Sequence, residues 1–157
     1  MRAALALAAA LLVAACSSLP APPAPQGGAA IAQAAASVLG TPYHFGGADA
    51  AGFDCSGLAR YVHERAGLAI PRTAAEQQRA AHPVPLGQLA PGDLVFFRIG
   101  SRAIDHVGVY AGGGRFIHAP RVGLAVRYGD LRGGSFYARR LVSAGRFWAG
   151  TPLRSPR

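Results

Sequence analysis

The 157-residue chain contains no lysine: all 16 of its basic residues are arginine. It also has only seven acidic residues and two cysteines. With alanine at nearly every neutral position, the missing lysine reads as high-GC coding bias before it reads as function. The arginines are scattered, so no basic stripe or groove-reading motif of a nucleic-acid binder emerges. Cys16 and Cys55 stand far apart, and the close cysteine pair typical of structural zinc sites is missing. The longest apolar run, Ala3 to Ala15, falls short of the ~20 residues a membrane span needs. No internal repeat is evident.

That run follows Arg2 and ends in Val13-Ala14-Ala15-Cys16. A charged start, a short apolar stretch and small residues at a cut site make a secretory signal. The last four residues resemble the lipobox of bacterial lipoproteins. Residues 1–15 are therefore expected to be a lipoprotein signal peptide, with lipid attachment at Cys16. A plain signal peptide, or a disulfide between Cys16 and Cys55, are the alternatives. Ser17 resembles the residue that sorts lipoproteins to the outer membrane. The expected location is the cell envelope, on the periplasmic face of that membrane, with membrane contact through the N-terminal lipid. Residues 16–28 carry the lipidated cysteine and a Pro/Ala-rich tether. At ~3.1 Å per residue, such a segment reaches on the order of 35 Å. Without the signal, 15 arginines against seven acids favour anionic surroundings such as wall polymers. Nucleic acid is not an expected partner of an exported chain, and protein partners are not legible.

Residues 29–146 read as one folded domain, followed by a tail over 147–157. Ala29 to Leu39 carries Ile31, Ala35, Val38 and Leu39 on one helical face, and Gly40 and Pro42 end it. Asp54 is a good N-cap for a helix from Cys55 to about Ala66. Its inward stripe would be Cys55, Leu58, Ala59, Val62 and Ala66. Thr73-Ala74-Ala75-Glu76 is a capping box opening a third helix. After Pro91-Gly92 the pattern turns to strands: 93–98, 105–110, 115–119, 125–128 and 136–142. Helices followed by an antiparallel sheet predict an α+β domain.

The chemistry centres on Cys55. A free thiol titrates near pH 8.5, leaving ~3% thiolate at pH 7, and a helix N-terminus or a nearby imidazolium raises that fraction. His106 and His118 flank Gly112-Gly113-Gly114 within one hairpin. A three-residue loop, Ala111 to Gly113, would oppose His106 to His118 and Val107 to Ile117, projecting both imidazoles together. A two-residue loop would shift the register by one and separate them. A single strand histidine is more often packed or solvent-facing than catalytic. Two in register beside a helix-start cysteine point instead to thiol hydrolysis. Zinc held by Cys55 and both histidines is the chemical rival, and it lacks a convincing fourth ligand. His44, His63 and His82 have no evident partner and read as structural or surface residues.

The ordered pieces Thr41-Pro42-Tyr43, Gly46-Gly47, Phe53-Asp54-Cys55-Ser56-Gly57-Leu58, Pro71-Arg72-Thr73, Gln77, Pro91 to Phe97, Asp105 to Tyr110 and Phe116 to Ala119 resemble the NlpC/P60 family of bacterial cell-wall cysteine peptidases. The resemblance covers residues 30 to 142. It implies a reduced papain-like fold, with N-terminal helices packed on a five- to six-stranded antiparallel sheet. It also implies Cys55 as nucleophile, His106 as general base and acid, and His118 as the residue orienting that imidazole. Tyr43, Asp54 and Ser56 become substrate-binding or oxyanion candidates, and Asp54 is expected to receive a ligand ammonium group. The implied substrates are peptidoglycan stem peptides, cleaved through an acyl-enzyme without a metal or other cofactor. An envelope amidase or acyltransferase with the same chemistry, and an inactive wall-binding lipoprotein, are the alternatives.

Overall fold

A computed structural model describes residues 27–148. Cys16, the expected signal peptide, nearly all of the expected tether and residues 149–157 lie outside the described residues.

Helix α1 spans Gly28–Ala36 and buries Ile31 and Ala35. It stops short of Leu39, because the Ser37, Val38 and Leu39 amides turn back in a tightening last turn. A small ribbon, β1 (Ala48–Asp49) with β2 (Gly52–Phe53), leads into helix α2, Cys55–Arg65. Asp54 caps α2 as expected, its carboxylate accepting the Gly57 amide at 2.7 Å. Helix α3, Ala74–Ala80, opens on a capping box between Thr73 and Glu76 in which each side chain serves the other's backbone.

Six antiparallel strands form the sheet: β3 (His82–Val84), β4 (Leu94–Phe97), β5 (His106–Gly112), β6 (Arg115–His118), β7 (Arg127–Asp130) and β8 (Leu141–Arg146). Their spatial order is β3-β8-β4-β5-β6-β7. The fold is α+β, three helices on a six-stranded sheet. Strand β3 is not foreseen from the sequence: three residues containing Pro83 carry no alternation, and an edge is where a strand proline is tolerated. The last strand begins at Leu141, not Phe136, because Ala138–Arg140 form a 3₁₀ turn.

Alternation divides the sheet's two faces. Leu94, Phe96, Val107, Val109 and Ile117 pack with Ile31, Leu58 and Val62 under the helices. Val95, Phe97 and Phe116 turn to the opposite face, where Tyr137 and Leu131 cover them. Two residues assigned to the flanks belong to the domain: Gly28 begins α1, and Phe147 is buried in the core. Trp148 Nε1 donates to Asp93, a carboxylate with 0% exposure that Arg146 also grips at 2.7 and 2.8 Å. Gly28 lies directly against the Trp148 ring and the Pro91 carbonyl, where a Cβ would collide with both.

The β5–β6 hairpin differs from expectation in an instructive way. Its turn has two residues, Gly113 and Gly114, both at positive φ. Gly112 pairs with Arg115, which alone would separate the histidines. A bulge between Tyr110 and Gly112 then inserts one residue and restores the parity, so Tyr110 pairs with Phe116 and Val109 with Ile117. His106 and His118 are therefore diagonal neighbours on one face instead of directly opposed.

Candidate active site

Cys55 is the first residue of α2, held there by contacts that converge on Asp54. One Asp54 oxygen accepts from Gly57 N at 2.7 Å and Arg72 Nη1 at 3.0 Å, with Ser56 Oγ at 3.3 Å. The other accepts from Arg72 Nη2 at 2.6 Å and Gly46 N at 3.0 Å. Gly57 has no room for a side chain, because a Cβ there would run into the Gly47 carbonyl oxygen. That close approach lets the Gly46-Gly47 loop fold over the start of α2. Gln77, fully buried in α3, donates to the carbonyls of Ser56 at 3.0 Å and Pro71 at 2.8 Å. The sequence motifs flanking Cys55 thus serve largely to hold one loop-to-helix junction in place.

Among the described residues Cys55 is a free thiol. Burial pushes it up to about 11, and the Asp54 charge pushes the same way. The amides of Val107, Ser56 and Cys55 itself point at the sulfur and oppose the rise without cancelling it. Val107 directly follows His106 in β5, so the sulfur is seated at the head of the histidine strand. Loss of hydration here outweighs what the helix start contributes toward thiolate. Tyr43 stands close enough that Cys55 and Asp54, after burial itself, raise its phenol.

His106 Nε2 and His118 Nδ1 are 2.8 Å apart, with the ring planes at 83°. Burial lowers His106 to about 4, against a small pull from Asp105. Burial, then the His106 and Arg127 charges, lowers His118 to about 3. Both imidazoles are neutral at pH 7, so one nitrogen of the 2.8 Å contact carries the proton and the other accepts it. Tyr137 closes over both rings, its centroid 4.8 Å from His118 and 6.1 Å from His106.

Two contributors were not singled out as site residues from sequence. Arg72 neutralises Asp54, and its only signal was a place in the Pro71-Arg72-Thr73 motif. Tyr137 had none, since it reads as a strand residue. Ser56 is buried and accepts from Arg72 Nη1 at 3.0 Å. Asp54 is already engaged by four donor groups, so a ligand ammonium there would have to displace one of them. His63 is buried in α2 and His82 starts β3, both away from Cys55. No three His, Cys, Asp or Glu side chains are grouped to hold a metal among the described residues.

The chain is similar to known proteins in both sequence and fold. The NlpC/P60 family matches residues 40–146. The gamma-D-glutamyl-L-lysine dipeptidyl-peptidase of Bacillus subtilis is 44% identical over 98 residues, 61% of this chain and 33% of that protein. The murein DD-endopeptidase MepH of Escherichia coli is 42% identical over 121 residues, 74% of this chain and 44% of that one. An NlpC/P60 family protein from Bacillus cereus has a crystal structure that superposes with a TM-score of 0.73 at 32% identity, covering 80% of this chain and 42% of that one. For the NlpC/p60 domain of the peptidoglycan hydrolase SagA the TM-score is 0.66 at 37% identity, covering 76% of this chain and 98% of that one. The chain spans less than half the length of either curated relative. Since the matched span holds the Asp54-capped cysteine helix, the paired histidines and the whole sheet from β3 to β8, this chain belongs to the NlpC/P60 family.

Proposed function

We propose that this chain is a cysteine endopeptidase acting on the stem peptides of peptidoglycan. The observation that carries the reading is the 2.8 Å His106–His118 contact on the strand whose next amide, that of Val107, points at the Cys55 sulfur. The names of the relatives, a murein DD-endopeptidase and a gamma-D-glutamyl-L-lysine dipeptidyl-peptidase, support the substrate class.

In this reading His118 Nδ1 accepts from His106 Nε2–H. That fixes the tautomer and leaves His106 Nδ1 as the basic nitrogen. The resting pair is neutral thiol and neutral imidazole, so proton transfer accompanies attack. The Sγ proton passes to His106 as sulfur adds to the amide carbonyl carbon. The C–N bond breaks as that proton reaches the departing amine. Water then adds to the thioester carbon and gives its proton to His106; the S–C bond breaks, the acid is released and the proton returns to sulfur. The Cys55 backbone N–H at the helix start serves as an oxyanion donor, with Tyr43 beside it. Asp54 and Ser56 shape the acyl side of the cleft through Arg72.

Digestion of purified murein by wild type and Cys55→Ala, with fragments assigned by mass, tests the proposal. New amino termini within stems or cross-links, formed by wild type alone, are expected; the same masses identify the bond. Fragments carrying no cleaved peptide bond would overturn it.

The envelope placement is part of the same proposal. A lipid on Cys16 would hold the domain at the periplasmic face of the outer membrane. Fractionation of cells expressing wild type and Cys16→Ala checks this. Membrane retention by wild type and loss by the variant are expected, and equal partitioning would refute it.

A further inference from the structure

A cavity of about 500 Å³ reaches His118, and neither Asp54 nor Arg72 lines it. His118, with only 1% of its surface exposed, and Tyr137 form part of its wall. Arg121, Leu124, Arg127 and Asp130 line it as well. Leu124 ties this wall to the nucleophile: its carbonyl accepts the amide of Tyr43 at 2.9 Å, and Tyr43 adjoins Cys55.

The charge in the cavity is unbalanced. Asp130 is occupied by Arg132, through contacts of 3.0 and 2.9 Å from its guanidinium. Arg121 and Arg127 form no side-chain hydrogen bond and no ion pair among the described residues. Both are close enough to the Tyr137 phenol to act on its ionisation, and Arg127 acts on His118 too. Two uncommitted guanidiniums thus converge on one pocket wall. Arginine's planar fork suits a carboxylate, which it can bind through two parallel contacts.

We propose that Arg121 and Arg127 form a subsite for a carboxylate on the leaving side of the substrate. The assignment rests on the peptidase reading above. In that mechanism His106 hands its proton to the departing amine, so the residue bearing that amine extends over the histidine side. The cavity has His118 in its wall, and His118 is the hydrogen-bond partner of His106. The subsite selects substrates whose departing residue ends in a free carboxylate over those in which the group is an amide.

Two peptides differing only in a free carboxylate or a carboxamide on the departing residue provide the test. With wild-type full chain, kcat/KM for the carboxylate peptide is expected to exceed that for the carboxamide about tenfold. Arg121→Gln and Arg127→Gln should each shrink that ratio severalfold, chiefly through KM, and Arg127→Lys should restore part of it. Arg60→Gln, which alters an exposed charge on α2, should leave the ratio intact. An unchanged ratio in both cavity variants overturns the subsite. Binding to Cys55→Ala separates this from failure of the peptidase reading. Weaker binding of the carboxylate peptide after adding Arg127→Gln supports the subsite even if no bond is cut. Equal binding rejects it.

Discussion

Arg72 meets Asp54 with both guanidinium arms, at 3.0 and 2.6 Å, one residue before the cysteine that begins α2. Burial alone would raise the Asp54 carboxyl. The hydrogen bonds from Arg72 and Gly57 outweigh it and hold the group below the usual carboxylate range. A carboxylate whose charge still raises the Cys55 thiol is thereby offset in part, and the same group caps the helix that presents the sulfur.

Replacing Arg72 with Gln should therefore do two things. Stability should fall by about 1–2 kcal/mol, discounted because a third of the Arg72 side chain is exposed. Thiol alkylation should slow further, since the Asp54 charge then acts on Cys55 unopposed. Urea midpoints and alkylation rates together check this. Faster alkylation would contradict the compensation.

The resting thiol itself makes a pH prediction. Held at about 11 by burial, Cys55 stays protonated through neutral pH. Its alkylation by a small haloacetamide should climb with pH well beyond the 8.5 midpoint of a free cysteine. A plateau reached below pH 7 would instead reveal a standing thiolate–imidazolium pair.

In the proposed mechanism the buried His118 backs the cavity wall but acts on the reacting atoms only through His106, so its substitution isolates positioning. His118→Ala should lower kcat by about 10²–10³ with little change in KM, and His118→Asn should recover part of the loss. An equal loss in both variants, carried by KM, would point to substrate contact.

A separate titration lies far from the site. His63 is fully buried, its Nδ1 bonded to Ala59 O at 2.8 Å and its Nε2 without a partner among the described residues. Burial lowers it to about 4 from 6.5. The unfolded chain thus takes up a proton first, and stability declines as pH falls through 6.5, levelling off below 4. The loss from this one residue is on the order of 3 kcal/mol. His63→Leu should flatten the acid limb of a pH–stability curve; an unaltered limb would assign the effect elsewhere.

Local signals were the most legible. The Asp54 cap and the Thr73–Glu76 capping box are short-range and were correctly read. Strand β3 and the late start of β8 were not, because an edge segment with Pro83 lacks alternation and the aromatic pair Phe136-Tyr137 mimics a strand. The hairpin shows how two errors can cancel: the turn is two residues long, and a bulge repairs the histidine geometry. The Arg72–Asp54 pairing and the Tyr137 cover are long-range contacts that no periodicity encodes.

Gly28 meets Trp148 and Pro91 beside the Gly112 end of β5, whereas His106 begins that strand. Six residues at ~3.3 Å each put these poles about 20 Å apart. If the proposed lipid anchor on Cys16 holds, its attachment reaches the domain at Gly27, at the pole opposite His106.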